Sequence, residues 1–191
     1  PLPVPNTVSG NATLTAQATN ATINGNAISV FGYQANGILG PIIRVNNGVN
    51  ASINFQNNLS EKSNIHWHGL KIPANMDGHP EDIVNPESSF NYQFNVNQRA
   101  GLNWYHPHPD RATARQAFQG LAGLFIINDA EEAALNLPSG IYEIPLVIQD
   151  KRFSSSDITY SPSMGEIMSG YMGETIIVNG EIGRASCRER V

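Results

Sequence analysis

Cysteine is almost missing from this sequence: the 191 residues contain one, Cys187, so no disulfide can form within the chain. Charged residues are scarce, at 14%, and the net charge of −5 gives no reason to expect a nucleic acid or an anionic membrane as a partner. No apolar run approaches the length of a membrane span, and no signal peptide precedes Pro1. A disulfide scaffold and a helical membrane protein are therefore not expected.

Turn-forming residues and short alternating patterns are abundant instead. Residues 49–56 alternate apolar and polar side chains, as do residues 90–97, and each pattern predicts a half-buried antiparallel strand. Asn24-Gly25 predicts a tight hairpin between two strands within residues 13–34. Short strands without a strand–helix–strand rhythm predict an all-β, Greek-key β-sandwich.

Other segments predict one or two short helices and two further strands. Good helix formers occupy residues 111–119 and 131–137, and a nearly continuous apolar run at residues 121–127 predicts a buried strand. Residues 144–149 predict a last core strand. The segment from 154 to 173 is rich in Ser, Gly and Met and predicts a linker-like loop.

Four of the five histidines form two His-x-His pairs, which carry the strongest functional signal. Residues 64–69 read Asn-Ile-His-Trp-His-Gly, and residues 103–108 read Asn-Trp-Tyr-His-Pro-His. Successive side chains of a strand point to opposite faces, so each pair places both imidazoles on one face and an aromatic residue on the other. Two such strands side by side predict a multinuclear imidazole site formed by His66, His68, His106 and His108. Imidazole binds copper, zinc, iron and nickel, so the ligand type alone leaves the metal open.

The last eleven residues, 181–191, break with the rest of the chain, being basic, without a strand pattern and the source of the only cysteine. They correspond codon for codon to the translation of a common DNA-sequencing adapter. We interpret them as a non-native tail on a truncated reading frame, of the kind a metagenomic read produces. Cys187 is accordingly given no catalytic or metal role.

The two histidine motifs resemble those of the multicopper oxidases, the group of laccases, bilirubin oxidases and cuprous oxidases. Supporting stretches lie at residues 76–78, 97–101, 120–125 and 175–180, so that the resemblance extends from about residue 37 to residue 180. It implies a cupredoxin-like fold and the N-terminal, plastocyanin-like domain of such an enzyme. It also implies a periplasmic or extracellular location.

In that family, eight histidines from the first and last domains hold a trinuclear copper cluster that reduces O2 to water. Carried over, the resemblance implies that His66 ligates the type 2 copper, that His68 and His106 ligate one type 3 copper, and that His108 ligates the other. Asp77 is implied as a carboxylate that orients cluster water and relays protons. Trp67 and Trp104 are expected to pack beneath the site, and His79 is expected to be a solvated loop residue.

The resemblance also implies what this chain does not supply. The type 1, or blue, copper needs a cysteine flanked by histidine from the last domain, and no such arrangement is present. The chain alone is therefore expected to be weakly active or inactive. Its expected partners are the missing C-terminal cupredoxin domains or another copy of itself, with O2 and small phenolic or metal donors as substrates of the intact enzyme.

Two other functions remain open at this point. A stand-alone copper-binding module could pair with a second copy and pool eight imidazoles. A zinc hydratase or hydrolase could use His-x-His on a strand with a third histidine, although this leaves the fourth histidine unexplained. The predicted division of the chain is a flexible arm at 1–10, a cupredoxin domain at 11–153, a linker-like loop at 154–173, the start of an inter-domain strand at 174–180, and the tail at 181–191.

Overall fold

The computed structural model describes residues 3–34 and 37–182. The strands in these ranges are β1 (Thr7–Val8), β2 (Asn11–Ile23), β3 (Asn26–Gly32), β4 (Ile42–Asn46), β5 (Asn50–Asn57), β6 (His66–His68), β7 (Ser88–Asn95), β8 (Gly101–His106), β9 (Gly123–Asn128), β10 (Ile148–Lys151), β11 (Thr175–Val178) and β12 (Glu181–Ile182). The α-helices are α1 (Thr113–Phe118), α2 (Ala130–Ala134) and α3 (Met164–Ser169). Short 3-10 helices occupy Ala74–Met76 and Gly140–Tyr142. None of the helices described has the length and apolar character needed to cross a bilayer.

Two sheets form a sandwich, which confirms the predicted all-β class. The strand order is β1-β4-β9-β8-β6 in the five-stranded sheet and β3-β2-β5-β7 in the four-stranded sheet. The alternating residues of β5 and β7 point inward, with Ile53, Phe55 and Tyr92 almost fully buried, and they meet Trp67 and Phe125 from the other sheet in one core. A third sheet, of order β10-β11-β12, lies beside the sandwich.

The hairpin predicted at Asn24-Gly25 is present between β2 and β3. Both residues have positive φ angles, 51° and 81°, as a two-residue turn joining twisted strands requires. The predicted helices at 111–119 and 131–137 appear as α1 and α2, and Asp129 caps α2 by accepting a hydrogen bond from the Glu132 N–H. The local patterns therefore predicted these elements and their type.

Trp67 occupies the centre of the core and determines which way β6 faces. Its side chain is fully buried, and its ring lies edge-on to Tyr92, Phe94 and Phe125 and tilted against Tyr105, with centroid distances of 5.3 to 5.8 Å. Such aromatic contacts add to the large apolar area that a tryptophan buries. Because side chains alternate along a strand, the neighbouring histidines must point away from this core.

The N-terminal segment, predicted as a flexible arm over residues 1–10, contains a strand in the part that is described. β1 pairs in parallel with β4, and the N–H of Ile42 donates to the carbonyl of Asn6 at 2.7 Å. The chain then crosses to the other sheet, where β2 pairs in parallel with β5. Backbone hydrogen bonds to both sheets thus hold this segment, although its proline-rich sequence gives no strand signal.

The core strand predicted at residues 144–149 is wrong. The ladder begins only at Ile148, and Ile144, Leu146 and Ile148 are 53%, 51% and 67% exposed. Pro145 has no N–H to donate, and it is Val147 that packs inward, against the outer face of the five-stranded sheet. Ile144, Leu146 and Ile148 therefore face solvent instead of a core.

The segment predicted as a linker over residues 154–173 contains α3, and the expected strand after it is present as β11. Ser163 and Glu166 form a capping box at the start of α3, and the Ser-x-x-Glu spacing was the signal that could have revealed this helix. The division into domains itself stays a prediction. Of the tail at 181–191, Glu181–Ile182 pairs with β11 as β12, and residues 183–191 lie outside the described part of the chain.

Lys151 joins β10 to the end of α1 and is 2% exposed. Its ammonium group donates to the carbonyl of Phe118 and lies 4.6 Å above the centre of the Phe118 ring. Burial lowers the pKa of Lys151 from 10.5 to about 8, since the charged form is poorly solvated there, and the nearby Asp150 opposes this only in part.

This lowered pKa predicts a pH-dependent stability. Between pH 8 and 10.5 the unfolded chain holds more protons at Lys151 than the folded chain does, so the stability contribution of Lys151 rises with pH across that window. The free energy of unfolding of the wild type, minus that of Lys151→Met, should increase by up to about 3 kcal/mol from pH 8 to pH 10.5. Urea unfolding at several pH values measures this difference. A difference that is constant between pH 8 and pH 10.5 would contradict the lowered pKa of Lys151.

Candidate metal centre

The pairing of β6 with β8 brings the two histidine motifs together. The strands are antiparallel, with His66 opposite His106, Trp67 opposite Tyr105, and His68 opposite Trp104. The buried Trp67 and Tyr105 share the inner face, so the three histidines share the outer one. The predicted juxtaposition of the two motifs is therefore present.

His108 reaches the same cluster by a different route from the one expected. β8 ends at His106, and Pro107 removes the backbone N–H that would continue the ladder, so His108 lies in the loop rather than on the strand. Its ring centre is nevertheless 5.2 Å from that of His66 and 5.9 Å from that of His106. All four rings thus lie together.

Three of the imidazoles are close enough to hold one metal ion. One ring nitrogen from each of His66, His68 and His106 lies within 4.8 Å of the other two. His68 Nδ1 and His106 Nε2 are 3.2 Å apart. His106 is buried, His66 is half-buried and His68 is exposed, so that the cluster is open to solvent on one side.

Backbone carbonyls determine which ring nitrogens are free. His66 Nδ1 lies 2.9 Å from the carbonyl oxygen of Asp77, and His106 Nδ1 lies 2.9 Å from that of Pro107. A carbonyl can only accept, so Nδ1 carries the proton in both rings and Nε2 keeps its lone pair for a metal. Such outer hydrogen bonds orient metal-binding histidines in many proteins.

The environment of His106 keeps its ring neutral. Desolvation, with smaller contributions from the neighbouring His66, His68 and His108, lowers the pKa of His106 from 6.5 to about 4, and its hydrogen bond to the Pro107 carbonyl opposes this only in part. A neutral imidazole is the form that binds metal. At neutral pH this ring is therefore ready to coordinate without first losing a proton.

Asp77 lies beside the cluster, as the sequence motif implied. It follows the 3-10 helix Ala74–Met76, and its Oδ1 atom is 3.2 Å from His66 Nδ1. The proton of that nitrogen is directed to the Asp77 carbonyl, so Oδ1 is buried without a hydrogen-bond partner of its own. This carboxylate oxygen is free to accept a hydrogen bond from a ligand or from water.

The two tryptophans have different positions. Trp67 packs beneath the site, as expected. Trp104 does not, because it lies on the outer face with the histidines and is 38% exposed. Its ring stacks on His68 at 4.9 Å and lies over His106 at 4.2 Å between ring centres. Trp104 therefore contacts the two rings whose nitrogens are closest together.

Asn64 is a site residue to which the sequence reasoning gave no role, although it begins the first motif. It is fully buried, its side-chain amide donates to three backbone carbonyls of the loop after Asp77, and its Oδ1 accepts from the His108 N–H. His79, by contrast, is exposed in that loop and does not join the cluster. Its placement agrees with the expected solvated role.

The β-sandwich and its imidazole cluster define a cupredoxin-like domain equipped to bind metal. The family described as "Multicopper oxidase" matches residues 15–132, and the chain belongs to this family. The multicopper oxidase mco of Staphylococcus aureus is 39% identical over 160 residues, which cover 83% of this chain and 35% of that protein. The cell division protein FtsP of Xenorhabdus nematophila is 32% identical over 171 residues, covering 87% and 35% of the two chains.

A solved structure agrees with these matches. The laccase-like multicopper oxidase CueO from Ochrobactrum sp., described as having oxidase activity towards lignin model compounds, superposes with a TM-score of 0.89 at 34% identity, covering 96% of this chain and 43% of that one. The chain thus spans about a third to two fifths of the length of these relatives. Since the relatives include a protein named for cell division, the activity has to be argued from the residues of the site.

The loop that carries Asp77 depends on Gly78, which gives a testable prediction. Gly78 has a φ of +61°, and an added Cβ would collide with the carbonyl oxygen of Ile65. Gly48 also has a positive φ, +84°, but has open space around it. Gly48→Ala should cost about 1–2 kcal/mol of stability for the backbone conformation alone. Gly78→Ala should cost about 1–3 kcal/mol more, because the loop has to move.

Urea unfolding of the two variants measures the difference between these costs. Equal losses of stability would show that the close packing of Gly78 against β6 is unimportant.

Proposed function

We propose that this chain is the part of a laccase-like multicopper oxidase that supplies His66, His68, His106 and His108 to a trinuclear copper cluster. In the intact enzyme, located in the periplasm or outside the cell, bound copper would supply the redox chemistry that couples oxidation of phenolic or metal donors to the reduction of O2 to water. Membership of the family supports copper, and the described histidine cluster supports a site at this place. The zinc alternative leaves the fourth histidine and the match to the multicopper oxidase family unexplained.

The observation that carries the proposal is the 3.2 Å separation of His68 Nδ1 and His106 Nε2. Metal–imidazole bonds are about 2.0–2.1 Å long, so two ligands at a tetrahedral angle lie about 3.3 Å apart. The two nitrogens are thus spaced as ligands of one ion, which agrees with their proposed sharing of a type 3 copper. Trp104 stacks on both rings and limits their rotation.

His66 and His108 are proposed for the two other positions. The hydrogen bond of His66 Nδ1 to Asp77 directs its Nε2 away from the loop and supports its role at the type 2 copper. His108 has a buried Nδ1 without a hydrogen-bond partner, and its ring lies beside both His66 and His106. This placement supports His108 as the ligand of a second type 3 copper.

Asp77 is proposed as the carboxylate that orients water and transfers protons at the cluster. Its Oδ1 atom is the buried acceptor without a partner, and it lies within 3.2 Å of a ligand ring. A carboxylate in this position can accept a proton from bound water or hold it for release to solvent. The chain's own contribution is therefore to position the ligands and to provide one proton acceptor.

Copper titration tests the proposal directly. His68→Ala or His106→Ala should weaken Cu(II) binding by at least about 100-fold, since losing a ligand costs more than losing an outer hydrogen bond. His79→Ala is the matched control, because that histidine is exposed and lies outside the cluster, and it should bind as the wild type does. Metal analysis of protein loaded in vivo, together with an EPR spectrum, distinguishes copper from zinc. Equal affinity of all variants would remove the proposal.

The copper-loaded chain should show no intense blue absorption and no oxidase turnover above that of free Cu(II). The blue site needs a thiolate flanked by histidine ligands, and the single cysteine of the chain, Cys187, has no histidine near it in the sequence. Phenol oxidation and a visible spectrum measure both. Sedimentation of the same sample tests whether two copies pair, because that alternative requires a dimer that forms only with copper. A copper-loaded chain that stays monomeric excludes the pairing of two copies.

A further inference from the structure

We infer that Asn64 is a positioning residue that sets the distance between His66 and His108, and this inference rests on the proposed function. Its side chain is fully buried between three segments: the start of the first histidine motif, the loop after Asp77, and the turn that carries His108. No other described side chain bonds to both that loop and that turn. One amide group therefore connects two ligands that are distant in sequence.

The donor side of the amide holds the loop. Nδ2 of Asn64 lies 3.2 Å from the carbonyl oxygen of Gly78, 2.9 Å from that of His79 and 3.1 Å from that of Asp82. An amide nitrogen has two hydrogens, so the three carbonyls share them. The residue before Gly78 is Asp77, whose carbonyl receives the His66 Nδ1 proton. By fixing the loop, Asn64 fixes the acceptor that orients His66.

The acceptor side of the amide holds His108 itself. The backbone N–H of His108 donates to Asn64 Oδ1 at 2.6 Å, 44 residues away along the chain. This bond matters because Pro107 ends β8 and leaves His108 without a ladder partner. The His108 ring makes no hydrogen bond through its buried Nδ1, so the backbone bond to Asn64 is what ties this residue to the site. The rings of His66 and His108 are thus placed 5.2 Å apart by one side chain.

Asn57 provides a matched control within the same chain. It is also fully buried, its amide donates to the carbonyls of Glu61 and Val84 at 2.8 Å each, and its Oδ1 accepts from the Leu59 N–H at 3.2 Å. It makes the same kind of bonds as Asn64 but none to a histidine or to the Asp77 segment. Replacing either residue should lower the melting temperature to a similar extent.

Amide hydrogen exchange of the metal-free wild type tests the inference without any variant. The His108 amide should exchange slowly although it lies outside the strands, and rapid exchange would overturn the inference. In Asn64→Ser this amide should exchange at least about tenfold faster, while in Asn57→Ser it should keep its wild-type rate.

Copper affinity is the second measurement. Asn64→Ser should bind Cu(II) about 10–100-fold more weakly than the wild type, as expected for loss of a group that orients ligands. Asn57→Ser should bind as the wild type does. Equal affinities in Asn64→Ser and Asn57→Ser would overturn the inference. If the wild type itself binds no copper, the proposed function fails, whereas the exchange result at His108 still decides the role of Asn64.

Discussion

The register between β6 and β8 is the constraint on which the metal centre depends. Trp67 and Tyr105 lie opposite each other and are fully buried, so alternation along the two strands places the histidines on the outer face. A slip of one residue would turn the imidazoles into the apolar core and expose the largest side chain in it. The aromatic rings around Trp67 oppose that slip. The packing of the core therefore assembles a polar site on the opposite face.

The fold class and the histidines of the candidate site followed from local patterns in the sequence. Alternation at residues 49–56 and 90–97 predicted β5 and β7, and Asn24-Gly25 predicted their neighbouring hairpin, because each depends on residues close together in the chain. The His-x-His spacing placed His66 and His68 on one face for the same reason. Periodicity could not predict that the two motifs and Asp77 lie close together in space. The resemblance to multicopper oxidases supplied that expectation.

Features that depend on contacts between distant segments could not be predicted from local sequence patterns. The bonds of Asn64 reach 14 to 44 residues along the chain, and nothing in the motif that it begins indicates which segments its amide contacts. The loop position of His108 arises from Pro107, and the exposed stacking of Trp104 arises from its pairing opposite His68. At residues 144–148 the apolar sequence predicted a core strand, but which of these side chains is buried depends on the sheet against which the segment lies.

The parallel pairing of β4 with β9 has a consequence for how the polypeptide acquires its shape during synthesis. Arg44 on β4 bonds to Asn128 at the end of β9, 84 residues later. A ribosome adds about 5–20 residues per second, so β9 is synthesised about 4–17 seconds after β4. During that interval the inner faces of β2 to β5 are uncovered, so apolar side chains of the nascent chain stay exposed to aggregation until β9 has been made.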